Sequence, residues 1–246
     1  MNFLIDAVNW IVDPANYAGS GSIPARVAEH LLFTFVTLVL ASVVAIPFGF
    51  YIGHTGHGRG VAVATAGGLR ALPTLGLLTL VALWIGIGLG APYVALTILA
   101  IPPILAGAYT GFEAVDRVTV DAARAVGMSE WQIVTKVEIP LGLPLLIGGI
   151  RSATLQVVAT ATLAAYIADF GLGRYLFAGL KTRDYSEMLG GSILVILLAL
   201  VLEGLFALIQ RFVIPRGVLA GRPTDVRVRS TRSRPVMGSP IEEGRN

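Results

Sequence analysis

The sequence contains no cysteine, which excludes disulfides, thiolate metal sites and cysteine nucleophiles together. Charge is scarce as well: Asp, Glu, Lys and Arg make up 13% of 246 residues against 55% hydrophobic. That balance belongs to an integral membrane protein, not a soluble domain. Catalytic signatures are missing too. No G-x-x-x-x-G-K-[ST] phosphate loop occurs, Gly179, Leu180, Lys181 and Thr182 coming nearest, and there is neither HExxH nor G-x-S-x-G. ATP binding by that route and hydrolytic chemistry therefore have no support, and no cofactor is implied. His54 and His57 lie close together, but no third metal ligand is near, so they read as a solvated loop; His30 stands alone. The net charge of +3 hints at nucleic acid only until it is located. Arg216, Arg222, Arg227, Arg229, Arg232, Arg234 and Arg245 stand against Asp225, Glu242 and Glu243, so the tail carries +4 and the remainder −1. Nucleic acid drops out as a partner.

Long apolar runs fill the space that charge leaves. Residues 31–53 contain no Asp, Glu, Lys or Arg, and at 1.5 Å per residue they reach roughly 35 Å, enough to cross the hydrocarbon. Between Val61 and Phe112 the only charged residue is Arg70. That stretch suits two crossings divided near Gly86, Gly88, Gly90 and Pro92: one about 70–88, preceded by a short helix, and one about 92–112. Two more follow at about 142–168 and 189–212. The fold expected is all-α and integral to the membrane, with about five spans in a domain over 30–212. Residues 1–29, with Ile5, Val8, Trp10 and Ile11, suit a short interfacial helix. Asp6, Asp13 and the lack of basic residues there argue against a cleavable signal peptide. Residues 213–246 lack an apolar face and read as a basic, disordered tail.

Within the spans, Pro73, Pro102 and Pro103 free backbone carbonyls, either lining a path or kinking packed helices. Gly49 with Gly53 and Gly107 with Gly111 spell GxxxG, which allows close helix contact. Arg151 can snorkel towards a surface. Glu203 lies too deep for that, so a protein partner or protonation must neutralise it. With the charged loop at 113–141 inside, twelve Lys and Arg are cytoplasmic and four external. This places the N-terminus outside and the C-terminus in the cytoplasm.

That loop, EAVDRVTVDAARAVGMSEWQIVTKVEIPL, is the one long charged stretch between spans. Thr119 can cap a first helix, with Asp121 in its first turn offsetting the helix dipole, and Gly127 can stop it. Ser129 followed by Gln132 spells a capping box for a second helix, which Pro140 should halt. Ile133, Val134 and Val137 share one face of that helix, a small amphipathic unit suited to docking in a partner's groove.

Asp121, Ala122, Ala123, three residues, Gly127, nine residues, Val137, Glu138, Ile139 and Pro140 resemble the EAA signature of ABC importer membrane subunits: EAA, three, G, nine, I, any, L, P. The spacing is complete, with Asp, Val and Ile as conservative replacements. The resemblance implies a type I ABC importer transmembrane fold and a coupling role for Asp121, Ala122, Ala123, Gly127, Val137, Ile139 and Pro140. It also implies a separate ATPase subunit, an extracytoplasmic solute-binding protein, and a second permease copy or homologous permease within the lipid bilayer.

A longer resemblance covers roughly 30–212. The fragments LPTLGLL (72–78), YTGF (109–112) and TATLAAYI (160–167) are similar to membrane subunits of osmoprotectant importers, which take up glycine betaine, choline, carnitine or proline betaine. The chain departs from that group at Arg70–Pro73 and at Ala168–Phe170. Aromatic faces attract quaternary amines, so Trp84, Tyr93, Tyr109 and Tyr166 are candidates to line a path, although packing explains aromatics in spans equally well. An importer of another small solute, such as an amino acid, fits the same loop. A secondary transporter or a membrane scaffold are the readings outside this class; inverted repeats are not visible.

Overall fold

The computed structural model describes residues 2–213, and the expected basic tail lies outside the described residues. Among these the chain forms helices and turns and no strand: α1 (Phe3–Val12), a 3₁₀ turn (Pro14–Tyr17), α2 (Ile23–Thr55), α3 (Arg59–Ala71), α4 (Thr74–Ile85), α5 (Gly90–Glu113), α6 (Arg117–Ala125), α7 (Glu130–Ile133), a π turn (Val134–Glu138), α8 (Ile139–Ala161), a second 3₁₀ turn (Thr162–Tyr166), α9 (Gly173–Thr182) and α10 (Tyr185–Val213). Four helical stretches are long and apolar enough to cross a membrane: Ile23–Thr55, Gly90–Glu113, Glu130–Tyr166 and Tyr185–Phe212. The pair α3 and α4 is bent through 91° and has the length and composition of one broken span or of a re-entrant loop, so the described residues hold four or five crossings. The turn falls at Leu72 and Pro73, because a residue before proline is pushed to extended backbone and Leu72 has φ −69°, ψ 129°. The expected span 70–88, with its preceding short helix, is thus a break at Pro73 with α4 starting at Thr74.

The centre is α5, held between α2 and α8. Both GxxxG pairs lie at these crossings. A Cβ on Gly53 would sit 2.6 Å from Phe112 Cβ, and one on Gly107 2.8 Å from the Gly149 backbone. Ala41, Ala45, Ile104, Ala153 and Val157 fill the seam around them. Pro103 has no N–H for the Leu99 carbonyl four residues back. That carbonyl instead accepts a hydrogen bond of 3.1 Å from Gln156 Nε2 on α8. One end of the bundle is closed by His30: its Nε2–H donates to the Val158 carbonyl (3.0 Å) in the last turn of α8, and its Nδ1 accepts from Leu172 N–H (3.3 Å) at the start of α9. Nearby, Arg26 pairs with Glu29 and Asp169, and Arg174 with Asp169. His30, which stands apart from the other histidines in sequence, is therefore a fully buried clamp between three helices.

The helices overrun the apolar runs that announced them. α2 begins at Ile23, before residue 31, and α10 at Tyr185, before 189. Hydropathy marks the part that crosses hydrocarbon, while the helix continues wherever its polar turns find partners. Expected loop residues 54 and 55 are likewise the last of α2, which Gly56 ends at φ +73°. α1 packs against α10, with Trp10 edge-on to Tyr175 at 4.9 Å and against Gly190.

Candidate functional site

The loop between α5 and α8 folds as two short helices on a defined hinge. Asp116 caps α6, accepting from Val118 N–H at 3.0 Å. The expected cap Thr119 is instead inside the first turn, and Asp121 falls at the fifth helical position. Both Asp and Thr can cap; starting at Asp116 brings Val120 onto the buried face with Ala123. The stop is as the glycine suggested. Gly127 has φ +88°, Gly127 N–H donates to the Arg124 carbonyl (2.9 Å) and Met128 N–H to the Ala123 carbonyl (3.1 Å), the paired bonds of a Schellman motif. α7 opens with a complete capping box, Ser129 N–H to Gln132 Oε1 at 2.9 Å and Gln132 N–H to Ser129 Oγ at 3.4 Å.

Pro140 does not halt the second helix. The π turn Val134–Glu138 carries the chain directly into α8, where Pro140 occupies the first turn. A proline lacks a donor and crowds the carbonyl four residues back. The wider i→i+5 turn just before it relieves that conflict, and such turns recur at functional sites.

Side-chain placement separates the residues that the sequence grouped together. Ile133 is 0% exposed and packs with Val115, Val120, Ala123, Met128 and Val137 inside this chain. It is not offered to a partner, because α6 and α7 fold against each other through that stripe. Val134 and Ile139 line a groove of about 430 Å³ with Ile46, Pro47, Phe50, Tyr51, His54 and Trp131. Asp121, Ala122 and Gly127 are exposed, and Val137 and Pro140 are half-buried. The outward apolar residues are Val118, Val126 and Trp131, at 73%, 79% and 75% exposure, and no motif in the sequence singles them out. Trp131 lies two residues after the capping serine and carries no periodic signal that separates outward from inward.

Charges tie the loop to itself and to α2. Arg124 makes a two-pronged contact with Glu130 (2.8 and 3.0 Å) and a bond to Asp121 (3.1 Å). The Glu130 hydrogen bonds push the Arg124 guanidinium further above its ordinary range. His54 Nε2 lies 3.3 Å from Glu130, and its Nδ1 lies 2.6 Å from Glu138. His54 is therefore no solvated loop residue: it joins two glutamates that lie 76 and 84 positions further along the chain, a separation no local motif reports.

The four aromatics do not converge. Tyr93 stacks on Phe33 at 4.5 Å, and Tyr109 packs at the α2–α5 seam. Tyr166 lines a pocket with Thr79, Ala82, Leu83, Ile87 and Ile167, while Trp84 is 83% exposed on α4. Between α8 and α10, Arg151 pairs with Glu203 and bonds Gln210 Oε1 at 3.0 Å, both ends of the pair half-buried. Glu203 thus has the protein partner that its depth demanded.

Residues 45–217 match the family described as binding-protein-dependent transport system inner membrane component. The chain is 32% identical over 198 residues to the glycine betaine/carnitine/choline transport system permease protein OpuCB of Bacillus subtilis (strain 168), which spans 80% of this chain and 91% of that one. The choline transport system permease protein OpuBB of the same organism is 30% identical over 198 residues, with the same coverage of 80% and 91%. Among solved structures, a chain of the MetNI methionine ABC transporter in an inward-facing conformation superposes with a TM-score of 0.68 at 24% identity, covering 77% of this chain and 95% of that one.

Proposed function

This chain belongs to the family of binding-protein-dependent transport system inner membrane components, and from that premise we propose that it forms the membrane path for a compatible solute such as glycine betaine, choline, carnitine or proline betaine. It is a multi-pass protein of the inner membrane with the fold of an ABC importer permease, and its family works with a separate ATPase and a binding protein. The observation that carries the solute class is the 32% identity, over 80% of this chain, to a glycine betaine/carnitine/choline permease. The doubly capped α6–α7 hairpin supports the energy source, since a rigid lever at the base of the spans suits a push from outside the membrane.

In this reading two permeases, identical or homologous, enclose the path, with α6–α7 on the cytoplasmic side against the ATPases. Asp121, Ala122 and the outward Val118 and Val126 form the surface presented to the nucleotide-hydrolysing partner. Closure of the ATPases on ATP drags the hairpin, the spans swing from inward-open to outward-open, and hydrolysis resets them. The binding protein delivers solute at the opposite end, near Arg26, Asp169 and α9.

Two measurements test this. A deletion strain at high osmolarity is expected to lose uptake of radiolabelled glycine betaine, and plasmid-borne wild type to restore it; unchanged uptake would sink the solute class. Gly127→Pro demands φ near −65° where the chain has +88° and removes the N–H bonded to Arg124. Ala123→Asp puts a charge into the buried Val120–Ile133 cluster. Both variants are expected to insert at wild-type abundance and to lose at least tenfold in ATP-dependent uptake, read from membrane immunoblots and uptake side by side.

A further inference from the structure

We propose that His54 and Glu138 are positioning residues: a joint that fastens the coupling hairpin to α2, so that its displacement moves α2 and α8 together. The proposal rests on the reading of α6–α7 as the ATPase-driven lever. Glu138 stands at the position that the EAA spacing leaves free, so the signature gives it no role.

The geometry carries it. Glu138 is the last residue of the π turn and its side chain is 0% exposed, with Oε2 at 2.6 Å from His54 Nδ1 and Oε1 buried without a hydrogen-bond partner. A buried carboxylate is costly even when paired, and an apolar pair of the same volume often stabilises a fold as well or better. Burial of this pair is therefore poorly explained by stability and better explained by direction: a hydrogen bond fixes an angle that apolar contact leaves free. His54 also reaches Glu130 at 3.3 Å, and Glu130 grips Arg124. A continuous line of polar contacts thus runs from α6 through α7 to the last turn of α2 and back to the start of α8.

The π turn explains why such a joint is needed. A π turn interrupts the regular i→i+4 ladder and recurs at functional sites, and here it separates the hairpin from α8. Unpinned, it would absorb a push by rewinding. With Glu138 held against α2, the same push reaches α8 and α2 at once.

The test uses the full chain with its ATPase and binding protein in proteoliposomes, with radiolabelled glycine betaine as probe and solute moved per ATP hydrolysed as readout. His54→Ala and Glu138→Ala are expected to lower that ratio about tenfold while hydrolysis continues. Because each leaves one group unpaired, the paired variant His54→Leu/Glu138→Leu, with no charge buried alone, is measured beside them and is expected to fold and to show the same low ratio. The variant His54→Gln/Glu138→Gln keeps a directional hydrogen bond and is expected to recover at least half of wild-type coupling. A wild-type ratio in the leucine pair, or no recovery in the glutamine pair, overturns the joint. A wild-type complex that moves glycine betaine equally well without ATP overturns instead the reading beneath it.

Discussion

Gly111→Leu is expected to abolish recovery of folded protein from the membrane. A Cβ on Gly111 would lie 2.7 Å from the Gly142 carbonyl oxygen, and one on Gly142 2.8 Å from the Gly111 backbone. Each obstruction is backbone, so no side chain can swing aside. Overpacking a core costs about 1–3 kcal/mol where neighbours yield. Here α5 and α8 would have to separate along a seam that also holds Gly107 against Gly149. Close backbone approach through small residues is a principal source of helix association in lipid, where no hydrophobic drive joins helices. Size-exclusion chromatography of detergent extracts should show the monodisperse peak lost. Gly148→Leu, on the facing helix α8 but with open space where its Cβ would stand, should keep it. Equal peaks for the two variants would contradict the α5–α8 packing.

Removing one end of the Arg151–Glu203 pair should be nearly as damaging. Arg151 reaches Glu203 through two nitrogens, Nε at 2.8 Å from Oε2, and Gln210 through a third. Either residue alone in a span faces a penalty of about 2.5–3.5 kcal/mol at mid-bilayer, a large share of the ~5–15 kcal/mol that stabilises a typical fold. Arg151→Ala and Glu203→Ala are each expected to lower the thermal midpoint in detergent by several degrees and to reduce membrane abundance. The exchange Arg151→Glu/Glu203→Arg should recover much of the loss, as should Arg151→Met/Glu203→Met, which leaves no orphan charge. An exchange no better than the single variants would mean that the two side chains do not depend on each other.

The sequence discloses this architecture unevenly, and the reasons are physical. Runs without charge mark the crossings because burying an unpaired charge in hydrocarbon is so unfavourable, and α5 (Gly90–Glu113) lies within two residues of the expected 92–112. Local backbone chemistry was equally plain: the Ser129–Gln132 box and the Gly127 stop depend on residues a few positions apart, whereas Pro73, expected as a bend inside a span, separates two helices. The choice between Asp116 and Thr119 as cap was not, since both satisfy the same local rule and the buried position of Val120 decides it. Pro140 misled for a similar reason, because a π turn has no spelling of its own. Partners distant in sequence stayed hidden altogether. Nothing near His54 points to Glu138, nothing near Arg151 points to Glu203, and Ile133 looked available to a partner only because α6 was not yet folded over it.

The missing N–H of Pro103 has one more implication. Because Gln156 alone reaches the Leu99 oxygen, sliding α8 past α5 by a single residue would strand that oxygen in oil and drive Gly107 and Gly111 off their glycine seats. These two helices therefore share one vernier setting, and whatever opens and shuts the conduit must swing them as a single beam.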